Sequence, residues 1–195
     1  LFMTADILEQ GNPARFMCAP PQRTTDDQNA LWGAIADGTI RLVTSDHAPY
    51  RMDETGKFVH GHDAPFNKIA NGMPGLETRL PLMFNEMVSK GRMDLTGFAE
   101  LTATAPADAF GLSRKGRIAV GYDADIALWN PEISHTYGSD DLHDNVGYNP
   151  FEGTTIRGMP VSVLSRGRRI VTERSLQGLA GDGAWQRMAL PDLSA

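Results

Sequence analysis

One apolar run, Ile40-Arg41-Leu42-Val43-Thr44, follows a helical stretch and stops at Ser45-Asp46-His47-Ala48-Pro49. This succession narrows the folds open to the chain more than any other feature. Upstream, Arg15-Phe16-Met17-Cys18-Ala19 reads as a short extended run ending at Pro20-Pro21, because proline disfavours the helical region for the residue before it. Between the two runs, Thr25-Asp26-Asp27 offers a helix start, Leu31, Trp32 and Ile35 an apolar face, and Gly38 a stop. Strand, helix and strand in that order predict a parallel sheet and an α/β class, since parallel strands require a long crossover.

The carboxylate at the end of the second run gives that class a chemical sense. In (β/α)8 barrels the catalytic groups stand at the carboxyl ends of the strands, so Asp46 is a candidate metal ligand or general base. The alternative is a carboxylate that caps the turn into Ala48-Pro49; one Asp alone defines neither a metal site nor an acid–base task. The chain has 195 residues. A whole barrel takes about 250, so the expectation is a piece of a longer protein. A net charge of −6 argues against a phosphate-binding surface and hence against nucleic acid as a partner. No run reaches the length of a membrane span. The single cysteine, Cys18, cannot form an internal disulfide, which fits a reducing compartment and predicts a cytoplasmic protein.

Residues 51–68 are polar and uneven and are expected to form a long loop, a common place for function. Asn71-Gly72 and Pro74-Gly75 are turn signals. Leu76, Leu80, Met83, Phe84, Met87 and Val88 then repeat at helical spacing, with Pro81 inside the pattern and Gly91 at its end. Asp94 suits the cap of a helix carrying Leu95, Phe98 and Leu101, and Pro106 the first turn of another that ends near Gly111. From Gly116 the period changes. Ile118 and Val120, then Gly121-Tyr122-Asp123, then Ile126, Leu128 and Trp129 predict a β-hairpin; Val161, Val163 and Leu164, then Arg166-Gly167, then Ile170 and Val171 predict a second. A boundary near Ser113-Arg114-Lys115 divides the chain into residues 1–113 and 114–195.

Other candidate groups weigh less. His60 and His62 are two apart, which on a strand would aim both at one metal. They fall in a charged, glycine-containing loop, where bracing or solvated histidines are expected. His47 is expected to make a structural hydrogen bond, and Cys18 to behave as a small buried hydrophobe. Asp140, Asp141, His143 and Asp144 form a polar loop before they form a cation site. Met83 and Met87 belong to a core helix face.

Taken together, the motifs resemble one family. Thr44-Ser45-Asp46-His47-Ala48-Pro49 resembles the strand-8 motif of cyclic amidohydrolases, and Met17-Cys18-Ala19-Pro20-Pro21-Gln22-Arg23 their strand-7 segment. Ile69-Ala70-Asn71-Gly72-Met73-Pro74-Gly75-Leu76-Glu77-Thr78-Arg79-Leu80 is similar to the segment lining the substrate pocket of hydantoinases and dihydropyrimidinases. Thr104-Ala105-Pro106-Ala107, Phe110-Gly111-Leu112 and the run Gly116 to Ile126 match the broader amidohydrolase tail. His143-Asp144-Asn145 and Asn149-Pro150-Phe151-Glu152-Gly153 narrow the match to the hydantoinase and dihydropyrimidinase branch.

The resemblance implies the C-terminal part of a (β/α)8 barrel, with strands 7 and 8 and their helices in residues 1–113, and part of a flanking β-sandwich with a tail in 114–195. It implies ring opening of a hydantoin or dihydropyrimidine by an enzyme with two divalent metal ions, usually zinc, and a homo-oligomer, a tetramer in this family. Of the family's metal ligands only the strand-8 carboxylate falls in this chain, as Asp46; His60 and His62 come after strand 8 and cannot be the strand-1 pair. Main-chain groups at positions matching Ala19 and Asn71 hold the cyclic amide; a serine is common where this chain has Ala19. Rival readings are a dihydroorotase- or allantoinase-type hydrolase, a non-catalytic scaffold relative, and an inactive fragment.

Overall fold

The computed structural model describes residues 1–191. Within them the chain divides into two compact units, one of Leu1–Ile40, Thr44–Leu82 and Thr136–Thr155, the other of Arg41–Val43, Met83–His135 and residues from Ile156 onward. Residues 192–195 of the expected C-terminal segment lie outside the described residues.

The first unit contains helix α1, Thr25–Ala36. It starts where the sequence suggested, with a capping box across its first turn. The Thr24 hydroxyl accepts from the Asp27 N–H, and the Asp27 carboxylate accepts from the Thr24 N–H at 3.0 Å. Trp32 and Ile35 face inward. Phe2 sits edge-on to both Trp32 and Phe151, each at 6.2 Å between ring centres. Asn149 is fully buried because both ends of its amide are used: it donates to the Gly138 carbonyl at 3.0 Å and accepts from the Phe151 N–H at 2.9 Å. The motif Asn149 to Gly153 therefore shapes its own turn.

The second unit is built on helical turns and a sheet. Helix α2, Leu76–Phe84, contains Pro81, belongs to the first unit as far as Leu82, and runs into a π-helical turn, Asn85–Ser89, in the second. Met83 and Met87 are fully buried, as expected of a core face. Asp94 caps α3, Leu95–Ala99, by accepting from the Gly97 N–H at 2.8 Å. Pro106 stands in the first turn of α4, Ala105–Ala109. Strands β1 (Ile126–Thr136), β2 (Thr155–Ser165), β3 (Arg168–Thr172) and β4 (Ser175–Leu176) form a sheet in the order β1-β2-β3-β4. The expected second hairpin is present. β2 and β3 pair antiparallel around Arg166-Gly167, both at positive φ, with Val163 opposite Val171. Phe84 stacks on Trp129 at 4.4 Å, and Phe98 meets both rings edge-on at 5.4 and 5.6 Å.

Three expected strands are not formed. Ile40–Thr44 has no regular ladder, and Arg15-Phe16 ends a 3-10 turn, Pro13–Phe16. A parallel strand exists only through the strands beside it. Each of these runs instead makes isolated bonds: Ile40 donates to the Ala34 carbonyl at 2.8 Å and Met17 accepts from Gly72 at 2.9 Å. The first hairpin also fails, because Ile118 and Val120 lie exposed outside any strand while β1 pairs with β2. Its intended turn is held by charge. Asp123 takes Arg114 at 2.6 Å and Lys115 at 3.0 Å, and Asp125 accepts from the Arg166 N–H at 2.7 Å.

Candidate active site

The first unit gathers three irregular segments around residues 17–19, 46–48 and 70–76. Their connections are mostly main-chain. The Gly72 N–H donates to the Met17 carbonyl at 2.9 Å, and the Ala48 N–H to the Met73 carbonyl at 3.0 Å. His47 Nδ1 accepts from the N–H groups of Gly75 and Leu76, at 3.1 and 3.3 Å. These are among the orphan donors at the start of α2, so His47 acts there as a helix cap would. Its neutral ring must then carry its proton on Nε2. The structural hydrogen bond expected of His47 is this one.

Close approach explains Gly72. A Cβ on it would fall 2.5 Å from the Cβ of Ala48, so a larger residue would push the Asp46 segment away from the 70–76 segment.

Asp46, Ala19 and Asn71 each lie within two positions of one of these bonds. Asp46 precedes His47, is exposed, and has φ of 45°. Ala19 is exposed and precedes a cis peptide bond to Pro20. Asn71 is exposed, between Ala70 and Gly72. The fold therefore collects the three segments that bear Asp46, Ala19 and Asn71, with their free groups facing out of the packed interior.

The residue that holds this cluster from within is Lys57, in the segment 51–68 expected to be a polar loop. It is fully buried. Its Nζ donates to the Ala70 carbonyl at 3.0 Å and the Met17 carbonyl at 3.3 Å, and its N–H to the Arg51 carbonyl at 2.8 Å. Burial pushes the Lys57 ammonium down to about 8, offset in part by the nearby Cys18. The sequence signal available was weak: Lys57 is followed by Phe58, also buried, in an otherwise polar stretch. Cys18 is half-buried and donates to the Pro20 carbonyl at 3.3 Å; burial pushes its thiol up, and the nearby Lys57 ammonium opposes that shift.

The lowered Lys57 makes stability depend on pH. Between about pH 8 and its ordinary 10.5 the unfolded chain binds a proton that the folded chain has released. Stability due to Lys57 therefore rises with pH across that window. Cys18 acts in the opposite direction, since its folded value is raised. The Lys57 charge lowers Cys18, so Lys57→Met raises Cys18 further, and this adds to the same difference between wild type and variant. We expect the wild-type urea midpoint, relative to that of Lys57→Met, to climb between pH 8 and 10.5; a constant difference would refute the assignment.

Several other candidate groups make local contacts. His62 lies tilted against Phe58, with 4.2 Å between ring centres, and pairs with Glu54 at 3.3 Å, and His60 is exposed. His143 docks on Glu77 through its N–H and Nδ1, both at 2.9 Å, while Asp141 and Asp144 accept main-chain N–H groups of Gly138 and Val146. Among the described residues no three His, Cys, Asp or Glu side chains stand close enough to hold a metal ion. Zinc takes three or four protein ligands, so Asp46 fits the part of one ligand and does not constitute a site. Among the described residues no helix is long and apolar enough to cross a membrane.

Comparison with known proteins follows the same lines. The sequence profile of the amidohydrolase family matches residues 4–170. A D-hydantoinase of Rhizobium radiobacter is 40% identical over 190 residues, covering 96% of this chain and 41% of that protein. Among solved structures, a dihydropyrimidinase from Brevibacillus agri NCHU1002 superposes with a TM-score of 0.87 at 39% identity, over 93% of this chain and 39% of its own. A D-hydantoinase from a Bacillus sp. AR9 gives 0.86 at 38%, over 93% and 40%. The chain thus spans about 40% of the length of the relatives it matches.

Proposed function

This chain belongs to the amidohydrolase family, and on that premise we propose that it is the C-terminal part of an enzyme that opens cyclic amides, hydantoins or dihydropyrimidines. Residues 1–113 would complete a (β/α)8 barrel at strands 7 and 8, and residues 114–195 would contribute to a β-sandwich and tail. The observation that carries the reading is the convergence of the 17–19, 46–48 and 70–76 segments, tied by the bonds Gly72 to Met17 and Ala48 to Met73.

The chemistry assigned to these residues is specific. Ring amides resist water at neutral pH because water is a poor nucleophile. Two bound divalent ions, zinc in the simplest case, would lower the pKa of water and polarise the carbonyl. Asp46, the one ligand in this chain, would also accept the proton of the attacking water and hand it to the leaving ring nitrogen. Main-chain groups at Ala19 and Asn71 would orient the ring. Ala19 has no hydroxyl, so any contact there is to the backbone. The whole enzyme would be a homo-oligomer, a tetramer, acting on a small cyclic amide without nucleic acid or membrane.

The test is a hybrid: the Rhizobium radiobacter D-hydantoinase with its matching 190-residue stretch replaced by this chain. It should convert hydantoin or dihydrouracil to the open carbamoyl acid, followed by chromatography. Dihydroorotate and allantoin, run in parallel, separate the nearest rival activities. A hybrid with the parent's metal content and oligomeric state that opens no ring supports a scaffold and sinks the proposal. The 195-residue chain alone, dialysed against zinc and passed over a sizing column, should retain far less than two zinc ions per chain by mass spectrometry. Two retained ions would contradict the single-ligand assignment.

A further inference from the structure

We propose that Lys57 is a positioning residue, a buried clamp whose Nζ holds the Met17 and Ala70 carbonyls and so sets the main-chain groups that meet the substrate. The inference rests on the reading of Ala19 and Asn71 as the ring-holding positions, and it adds a residue that does not touch the ring.

Burying an ammonium is unfavourable unless it is hydrogen-bonded. An apolar side chain of similar length would fill the same space without that cost. What it could not do is join two carbonyl oxygens that otherwise repel each other. Lys57 does so with bonds of 3.0 and 3.3 Å while being fully buried. Both partners are main-chain atoms, from segments 53 residues apart in sequence, so the clamp acts on backbone geometry.

The consequence for Asn71 follows from the planar peptide. The Ala70 carbonyl and the Asn71 N–H belong to one peptide group and point in opposite directions. Holding the carbonyl at 3.0 Å from Nζ therefore aims the Asn71 N–H away from the interior, where it meets no protein acceptor among the described residues. Met17 is held twice, by Lys57 and by the Gly72 N–H at 2.9 Å. That fixes the direction in which the chain leaves toward Ala19. The clamp thus sets the distance between the two ring-holding segments from beneath.

Groups that hold a ring away from the bond being broken bind ground state and transition state alike. Their displacement raises KM and leaves kcat nearly unchanged. In the hybrid enzyme, Lys57→Met should raise KM for hydantoin at least tenfold, with kcat within threefold and metal content unaltered. Lys57→Gln, which keeps an amide donor, should fall between. In the 195-residue chain, Lys57→Met should speed hydrogen exchange at the Gly72 amide at least tenfold while α1 amides keep their rates. A merely structural role would speed exchange everywhere. If Lys57→Met does not fold, Lys57→Gln carries both measurements. Unchanged KM, a fall in kcat at constant KM, or uniform exchange overturns the proposal. A parent hybrid that opens no ring defeats the cyclic-amide reading instead, and the exchange experiment still decides whether the clamp exists.

Discussion

Replacing Asp46 by Asn in the hybrid enzyme should lower turnover by about 10²–10⁴-fold, the range for loss of a positioned acid–base group, and leave the fold intact. The structural half of this expectation comes from the backbone. Asp46 has φ of 45°, a region costly to most side chains but tolerated by Asp and Asn through local hydrogen bonding. Asn therefore inherits the conformation. The side chain is exposed, so no buried partner is orphaned. What changes is the charge and the capacity to take a proton. Circular dichroism should match the parent while ring opening falls, and metal content, read by mass spectrometry, separates loss of the proton acceptor from loss of a ligand. Turnover within threefold of the parent, with metal retained, would remove Asp46 from the chemistry. Asp46→Val makes a useful contrast: a β-branched residue in the left-handed region is expected to add a folding defect of about 1–2 kcal/mol.

The largest stability effect is expected in the second unit, at Gly158 in β2. Gly158 has φ of 93°, and a Cβ there would fall 2.2 Å from Cδ1 and Cε1 of Phe84. Phe84 cannot readily yield. It is 2% exposed and lies flat on Trp129, with the two ring planes 3° apart. Gly158→Ala therefore combines a strained backbone with an overfilled core, each costing on the order of 1–3 kcal/mol. We expect a loss of about 2–4 kcal/mol in urea unfolding followed by near-ultraviolet circular dichroism. The cost should shrink in a Phe84→Leu background, where the clash is relieved, because residues in contact do not behave additively. A loss below about 0.5 kcal/mol would show that the aromatic stack rearranges freely and is not the rigid centre of this unit.

Local signals were legible where a few neighbouring residues decide the outcome. The start of α1, the Asp94 cap, Pro106 in the first turn of α4 and the Arg166-Gly167 turn depend on contacts within three or four positions. Sequence shows those positions directly. The buried faces of Met83 and Met87 were equally readable from helical spacing. The same logic misled at Ile40–Thr44 and Ile118–Val120. An alternating or apolar run states a willingness to pair, while pairing itself belongs to whichever strand lies alongside. Ile118 and Val120 remain exposed, and β1 extends from Ile126 to Thr136 beside β2.

Motif resemblance singled out Asp46, Ala19 and Asn71 in the chain by number. It passed over Lys57, because lysine in a run of Arg, Asp, Glu and Gly looks solvated, and nothing nearby in sequence supplies its partners. Met17 lies 40 residues before it and Ala70 13 after.

Sequence alone determined the helix starts, the tight turns and the family membership, since each depends on residue types at short, fixed spacing or on ordered motifs along the chain. Tertiary structure alone decided which apolar runs became strands and which lysine went inside. A buried charge and a sheet ladder are both satisfied by atoms remote in the chain, and only folding brings those atoms within 3 Å or so of one another.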